Sequence, residues 1–500
     1  MRNQEIFVSL DIGTTSIKVV VAEYINGRVN IIGVGNEKSR GLSRGVIVDI
    51  DETVYSIQRA IAQAEQKANV KINEVVVGIP SNQLQIEDCH GMIAVASENR
   101  EITSRDVDNV ISAAKVRSVP PEREIISIIP DEFIVDGFNG IRDPRGMIGV
   151  RLELYAHLIT GPKTIIHNIK RCVQKSGLKI NEMILQPQAI AAVALSQDER
   201  EFGTVVIDMG GGQTSASILY DNQLRYSFVD QEGGDFVTKD ISVILNTSLD
   251  NAERIKREYG YAIASQTSED EYFPVETVGK KEPVRVDEYY LAEIIEARLA
   301  QIFETIYEDL ERVDALDLPG GFVLTGGGSA LPGVLDLAKR YFGSRVRLYV
   351  PEEMGMRNPI YTTSMGLINY VSELDDIHRI AHGTYRMKMP QTSQPSMDYR
   401  QDVQYRQQET PRQRPDYYQD DYYPPRDVPD NNQGPTPESY RPSRPARDES
   451  DYDAYEAYNQ SFEEEDYYET YSDQEAPRET EASGGNLTDK IRSFFQSFYE

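Results

Sequence analysis

The chain has 500 residues, two cysteines and a formal net charge of -29 at pH 7. The negative charge argues against a surface that binds the phosphates of nucleic acid. Two cysteines cannot form a disulfide framework, so we interpret Cys89 and Cys172 as core thiols in a reducing cytosol. The N-terminus has no apolar signal core, and no uninterrupted apolar run approaches the ~20 residues of a membrane span, so we expect a protein that is neither exported nor membrane-spanning.

The first candidate site is a polar turn between two apolar runs in the stretch 6–23, IFVSLDIGTTSIKVVVAE. The runs predict two β-strands. Glycine lets the backbone approach an anion, a lysine supplies positive charge, and a carboxylate can hold the water shell of Mg²⁺. A strand follows the turn, so this is not a Walker loop, and a polar turn without any ligand is the alternative. The candidate residues are Asp11, Gly13, Thr14, Thr15, Ser16 and Lys18.

The next segments predict half of an α/β domain and then an insertion. Asn26-Gly27 predicts a tight turn into a third strand, and helical spacing and a short apolar strand follow. The pattern changes over residues 81–161, which we interpret as a small inserted α+β domain; continuation of the first sheet is the alternative. The elements predicted there are strands at 92–96, 124–130 and 148–160 and a capped helix at 104–115.

The first hairpin then returns. After a predicted helix at 163–176, a strand at 179–185 and an Ala-rich helix, the stretch 203–220 reads GTVVIDMGGGQTSASILY. We align Asp11 with Asp208, Gly13 with Gly210, and Thr15-Ser16 with Thr214-Ser215. Such a repeat predicts two similar subdomains that face each other across a cleft. The candidate residues in the second copy are Asp208, Gly210, Gly211, Gly212, Gln213 and Thr214.

A third glycine-rich motif lies beyond two predicted helices, a β-hairpin within 264–288 and a long amphipathic helix at 287–313. Residues 320–333, GGFVLTGGGSALPG, predict a strand, a glycine turn and the start of a helix whose free N–H groups face the cleft. In the second of the two predicted helices, at 249–259, Glu253 and Lys256 stand at i, i+3, for which a surface ion pair is the alternative. The candidate residues of the third motif are Gly326, Gly327, Gly328 and Ser329.

These three motifs, in this order, resemble the two phosphate motifs and the adenosine motif of the actin, Hsp70 and sugar kinase ATPase superfamily. Residues 186–195 and 358–370 resemble its two connecting helices. Within the superfamily, residues 1–380 resemble the FtsA family of bacterial cell-division proteins, including the position of the insertion and the AERIKREYG run at 252–260.

The resemblance implies an α/β, actin-like ATPase fold: two similar α/β halves around a nucleotide cleft, a small inserted α+β domain, and a disordered C-terminal tail that ends in an amphipathic helix. The implied subdomains are 1A at 1–80 and 162–196, 1C at 81–161, 2A at 197–234 and 314–385, and 2B at 235–313, followed by a linker at 386–485 and a helix at 486–500.

The resemblance also implies ATP and Mg²⁺ as ligands. Asp11 and Asp208 would lie around the metal ion, Lys18 on the phosphates, and Glu253 and Lys256 beside the adenine. Gln188 occupies the position at which actin-like proteins place a residue that orients the attacking water. Whether ATP is turned over usefully stays open, and we expect at most weak ATPase activity.

The C-terminal tail has two parts. Residues 390–482 contain 23 acidic residues, 9 arginines and no lysine, a net charge of -14, and predict a disordered linker. The terminal NLTDKIRSFFQSFYE predicts a helix with one apolar face, which suits a membrane surface, a partner, or folding back on the chain. The FtsA resemblance favours the membrane. The apolar face holds Leu487, Ile491, Phe494, Phe495 and Phe498, and Lys490 and Arg492 lie at its edges.

The function implied by the resemblance is to tether filaments of the tubulin-like GTPase FtsZ to the cytoplasmic face of the cell membrane at the division septum. The expected contacts are the C-terminal peptide of FtsZ at about 235–313, further copies of the chain in filaments, membrane lipid, and later division proteins through 81–161, with no nucleic acid. A sugar kinase and an Hsp70-like ATPase are the alternatives; the sequence shows no assignable sugar pocket and no folded substrate domain after the ATPase.

Overall fold

The computed structural model describes residues 5–25, 28–116 and 119–383. The predicted linker and the predicted membrane helix lie outside the described residues, as does the turn predicted at Asn26-Gly27.

The first segment forms a three-stranded meander, a small hairpin, a helix and a parallel strand. Alternating and continuous apolar residues form the strands, and Asp49 caps the helix by accepting hydrogen bonds from the N–H groups of Asp51 and Glu52. The elements are β1 (Glu5–Ile12), β2 (Ser16–Ile25), β3 (Arg28–Lys38), β4 (Leu42–Ser43), β5 (Val46–Ile47), α1 (Ile50–Ala68) and β6 (Glu74–Ile79).

The insertion forms its own antiparallel sheet in the order β7-β10-β8-β9. These strands pair only with one another among the described residues, so the alternative that the segment continues the first sheet is wrong. The helix begins at a capping box of Thr103 and Asp106 and packs against β7 and β10. The elements are β7 (Gln85–Ala94), α2 (Ser104–Ala114), β8 (Arg123–Val135), β9 (Phe138–Ile141) and β10 (Arg151–Pro162).

The chain then completes the first sheet, whose order is β11-β6-β1-β2-β3. The strand β11 pairs in parallel with β6, and β6 with β1, while β1, β2 and β3 are antiparallel. The elements are α3 (Lys163–Lys175), β11 (Lys179–Leu185), α4 (Gln186–Ala194) and α5 (Gln197–Phe202).

The second half repeats this topology. Its sheet has the order β14-β13-β12-β17-β18, again a three-stranded meander followed by two parallel strands. The predicted internal repeat is therefore confirmed. The elements are β12 (Thr204–Met209), β13 (Thr214–Tyr220), β14 (Gln223–Asp230), α6 (Gly234–Ile244), α7 (Leu249–Tyr259), β15 (Tyr272–Val275), β16 (Val284–Asp287), α8 (Glu288–Arg312), β17 (Phe322–Thr325), α9 (Val334–Phe342), β18 (Val346–Leu348), α10 (Thr362–Glu373) and α11 (Asp376–Ala381).

The helices α4 and α10 join the two halves where their backbones touch. A Cβ atom on Gly366 would overlap the carbonyl oxygen of Ala189, so only glycine fits at this crossing. One buried apolar cluster includes residues of both sheets, among them Leu10 of β1 and Val206 of β12. The halves therefore share a core beneath the cleft. In the part of the chain that is described, no helix has both the length and the apolar composition to cross a bilayer.

Candidate functional site

The two predicted phosphate turns lie against each other. The first turn joins β1 to β2, and the second joins β12 to β13. A Cβ atom on Gly212 would lie 2.6 Å from Cγ2 of Thr14, and one on Gly211 would overlap the hydroxyl of Thr15. The second turn can approach the first only because it carries no side chains at these positions.

Strand register corrects part of the predicted alignment. Ile12 pairs with Ile17, and Met209 pairs with Thr214, so the two turns, 13–16 and 210–213, have the same length. Gly212, not Thr214, is thus the counterpart of Thr15. The predicted match was wrong because it requires a longer second turn, and it hid the fact that Ser215 stands where the first hairpin has Lys18.

Buried charges lie at the base of the turns. Nζ of Lys18 donates to Oδ2 of Asp11 at 3.0 Å, and both side chains are less than 10% exposed. Asp208 belongs to the same cluster: burial and the nearby Asp11 carboxylate raise the pKa of Asp208 to about 6, and Lys18 opposes this effect. The site therefore holds two neighbouring carboxylates, one of which, Asp11, is paired with Lys18.

A glutamine also reaches the carboxylates, but it is not the predicted one. Nε2 of Gln186 donates to Oδ1 of Asp11 at 3.2 Å. Gln188 stands two positions further along α4, a rotation of about 200°, so the two side chains leave opposite sides of the helix. The structure thus brings Gln186, two positions before the predicted residue, into contact with Asp11. The available signal was position, because Gln186 directly follows β11 at the edge of the sheet.

The third motif abuts the second turn. Gly326 has φ +86°, and a Cβ atom there would overlap Oδ1 of Asp208 and lie 2.7 Å from the carbonyl oxygen of Met209. Gly327 differs, since its Cβ would meet only Ile360 Cγ2, at 3.2 Å. Ser329 closes the turn by donating to the carbonyl oxygen of Gly326. A side chain at Gly327 would therefore project into open space.

One expectation about this motif was wrong. The residues after Gly326 form a short 3-10 turn, Gly327–Ala330, and α9 begins only at Val334. The free N–H groups of that helix are thus not those of the three glycines, because Pro332 and Gly333 separate the two elements.

Glu253 and Lys256 form more than a surface ion pair. Their charged groups lie 2.6 Å apart, and the Lys256 side chain is 13% exposed. Nζ of Lys256 also donates to the carbonyl oxygen of Gly234 at 2.8 Å and to the hydroxyl of Thr238 at 2.7 Å. The lysine therefore fixes the start of α6, next to the second turn, and the surface-pair alternative is wrong.

The sequence reading missed the loop before α6 and the tip of the β4–β5 hairpin. A Cβ atom on Gly233 would lie 2.6 Å from the carbonyl oxygens of Gly210 and Gly211. The N–H of Gly45 donates to the hydroxyl of Thr14 at 3.0 Å. The glycine pair at 233–234 was a visible sequence signal for a close backbone approach. No local sequence pattern indicates that Gly45 lies beside Thr14.

Within the described ranges, no group of three or more His, Cys, Asp and Glu side chains could hold a metal ion. The donor set around the turns is two aspartates, a lysine, hydroxyls and backbone amides. This set suits a magnesium ion that is bound mostly through water and phosphate oxygens.

Comparison with known proteins identifies the family. A family model described as "Cell division protein FtsA" matches residues 205–366, and a model for the "SHS2 domain inserted in FTSA" matches residues 81–160. A cell division protein FtsA from Enterococcus hirae is 57% identical over 381 residues, which cover 76% of this chain and 86% of that protein. The chain belongs to the FtsA family.

Other relatives agree. An FtsA protein from Bacillus subtilis is 46% identical over 370 residues, covering 74% of this chain and 84% of that protein. Among solved structures, the "PilM-PilN type IV pilus biogenesis complex" has a TM-score of 0.50 and 16% identity, covering 74% of this chain and 99% of that one. The predicted actin-like ATPase fold with an inserted α+β domain is confirmed, and this FtsA-family chain is a cell-division protein.

We predict that Asp208→Asn stabilises the ligand-free protein at pH 7.5, by up to about 3 kcal/mol. With a folded pKa of about 6 and an ordinary value of 3.8, the folded state binds the extra proton between these values. The free energy of unfolding of the parent therefore falls as pH rises from about 4 to about 6. Above this window the folded protein bears the full cost of an ionised Asp208. Urea denaturation at pH 4 and pH 7.5 measures the effect.

The variant's advantage should vanish near pH 4. As a control, Asp317→Asn removes a carboxylate that is 97% exposed and should change stability little at either pH. If Asp208→Asn is no more stable than the parent at pH 7.5, the ionised Asp208 does not lower the free energy of unfolding and the prediction is wrong.

Proposed function

We propose that this FtsA-family protein binds Mg²⁺ and ATP in the cleft and tethers FtsZ filaments to the cytoplasmic face of the cell membrane at the septum. It assembles into filaments and helps to recruit later division proteins. The observation that carries the nucleotide part is the meeting of two glycine-containing turns over the buried Asp11, Lys18 and Asp208 cluster.

The residues present fit this ligand. Two carboxylates beside one lysine leave negative charge that a divalent cation would neutralise, and backbone N–H groups and the hydroxyls of the first turn can donate to phosphate oxygens. Asp11 and Asp208 would hold the metal ion through its water shell, and Lys18 would lie toward the phosphates. The bound metal ion would supply charge neutralisation between the phosphates and the two aspartates.

The adenosine part would lie between the third motif and α7. Gly327 leaves open space there, and the Glu253 and Lys256 network borders the start of α6. Gln186 is placed to orient a water molecule near Asp11, which is compatible with weak turnover. Family membership counts against the sugar kinase and Hsp70-like alternatives.

We predict that Gly327→Leu weakens Mg-ATP binding at least about 10-fold without unfolding the protein, because the new side chain occupies space that the ligand needs. Calorimetric titration with ATP and thermal melting measure the two effects. Gly279→Leu, in the loop between β15 and β16, is the control: a Cβ atom there meets nothing within 4 Å, and the strain of a side chain at φ +81° should appear in thermal melting but not in ATP affinity. Unchanged ATP affinity in Gly327→Leu would contradict the adenosine assignment.

The membrane part of the proposal rests on the sequence of residues 486–500. Full burial of five large apolar side chains at ~1.5–3 kcal/mol each gives about 8–15 kcal/mol before the costs of ordering and partial insertion. The net free energy of membrane binding for one copy is then only a few kcal/mol, so stable attachment requires many copies in a filament.

We predict that Phe495→Glu releases the protein, and with it FtsZ, from liposomes of bacterial lipid, since a charge in the apolar face opposes insertion. Gln496→Glu adds the same charge on the polar face and should leave pelleting nearly unchanged. Co-sedimentation of FtsZ with liposomes tests both variants, and binding of the FtsZ C-terminal peptide in solution should be preserved. Pelleting of Phe495→Glu at the parent level would move the anchor elsewhere.

What supports recruitment through the inserted domain is a groove of about 770 Å³ between that domain and the first half. Two strand edges border it: β11 pairs on one side only with β6, and the start of β8 pairs only with β10 among the described strands. The buried hydroxyl of Ser127 in the groove has no partner among the described residues. Lys115, Lys170 and Lys179 line the groove, against one lining carboxylate, Glu182, which pairs with His382. Lys170 also pairs with Glu124, so Lys179 is the main charge through which an extended acidic peptide would be held by strand addition.

We predict that Lys179→Glu weakens binding of acidic cytoplasmic peptides from later division proteins at least about 5-fold, because like charges then oppose each other. Lys175→Glu is the control, since this lysine pairs with Asp51 and does not line the groove. Fluorescence anisotropy with labelled peptides measures the affinities. Equal effects of the two substitutions would point to general electrostatics rather than to the groove.

A further inference from the structure

The side chain of Gln213, in the second phosphate turn, is held by the other half of the molecule. Nδ2 of Asn82 donates to Oε1 of Gln213 at 2.9 Å, and Nε2 of Gln213 donates back to Oδ1 of Asn82 at 3.2 Å. Asn82 is 6% exposed. The two amides thus form a closed, partly buried pair.

Gly45 confines the same amide from another side. It has φ +75°, and a Cβ atom there would overlap Oε1 of Gln213 and lie 2.6 Å from its Cδ. The Gln213 amide therefore lies between the tip of the β4–β5 hairpin and Asn82. It cannot turn elsewhere without giving up both hydrogen bonds of the pair.

The backbone of Gln213 closes the second turn. The N–H of Gly210 donates to its carbonyl oxygen at 2.9 Å. One residue thus links the conformation of the turn to a side-chain contact outside the turn. Because leaving a buried amide unpaired is costly, the amide pair favours the turn conformation seen here.

Asn82 belongs to the inserted domain, within the match at residues 81–160. We propose that Asn82 is a positioning residue that holds Gln213 and so couples ATP binding at the second turn to docking of the inserted domain. This inference rests on the proposed function of the cleft. A partner that alters this docking should therefore change the affinity for ATP. Because such coupling is reciprocal, ATP then changes the affinity for that partner by the same factor.

The inserted domain offers a matched control contact. Nε2 of Gln223 donates to Oδ1 of Asp131 at 3.1 Å, which also joins the second half to the inserted domain. Gln223 stands at the start of β14, one whole strand from the second turn. Its loss removes one hydrogen bond between the same two parts of the molecule without touching Gln213, so it tests whether any such loss lowers ATP affinity.

The experiment compares the Mg-ATP affinity of full-length variants by calorimetric titration. Asn82→Ala should weaken ATP binding about 5- to 10-fold, the expected effect of one buried amide pair. Gln223→Ala should stay within about 2-fold. In a double-mutant cycle, Asn82→Ala should add almost nothing in a Gln213→Ala background, because the two residues act as a unit. Thermal melting checks that each variant is folded.

If Asn82→Ala destabilises the fold, Asn82→Ser gives the same test, since it removes the amide pair without adding charge beside the second turn and should weaken ATP binding to a similar extent. Parent-like affinity of the folded variant, additive effects in the cycle, or an equal loss in Gln223→Ala would each overturn the positioning role. Failure of the parent itself to bind ATP would instead overturn the proposed function.

Discussion

The burial of Asp208 near the carboxylate of Asp11 is the constraint on which the cleft depends. Each aspartate lies near the end of a central strand of its own sheet, Lys18 pairs with Asp11, and Asp11 is near enough to raise the pKa of Asp208. Burial raises the free energy of the charged forms, which is why the pKa of Asp208 lies near 6. Without a ligand, the fold is less stable because of these buried carboxylates, and a bound cation would offset this electrostatic cost.

Contacts of glycine backbone make this meeting of charges possible. Gly212 admits Thr14, Gly233 admits the carbonyl groups of the second turn, and Gly326 admits Asp208. Gly366 does the same where α4 and α10 cross beneath the cleft. The two halves are thus joined at short range above and below the site.

The inserted domain contacts this machinery rather than simply extending from it. Its contacts to the second half run through Asn82 to the second turn and through Asp131 to β14, while its groove faces the first half. A domain placed between the proposed nucleotide turn and the proposed partner groove is positioned to link the two kinds of binding. Such a link requires only differential contacts, not a large movement.

The sequence by itself determined the two hairpins, the repeat, the insertion and the glycine motifs, because strand periodicity and turn residues are local signals. Tertiary structure decided which residues meet. Register showed that Thr15 matches Gly212, helix phase brought Gln186 rather than Gln188 to Asp11, and the 3-10 turn displaced α9 from the glycines. The pairing of Asn82 with Gln213 joins residues 131 positions apart. It depends on how two domains pack, for which a single sequence carries no local pattern.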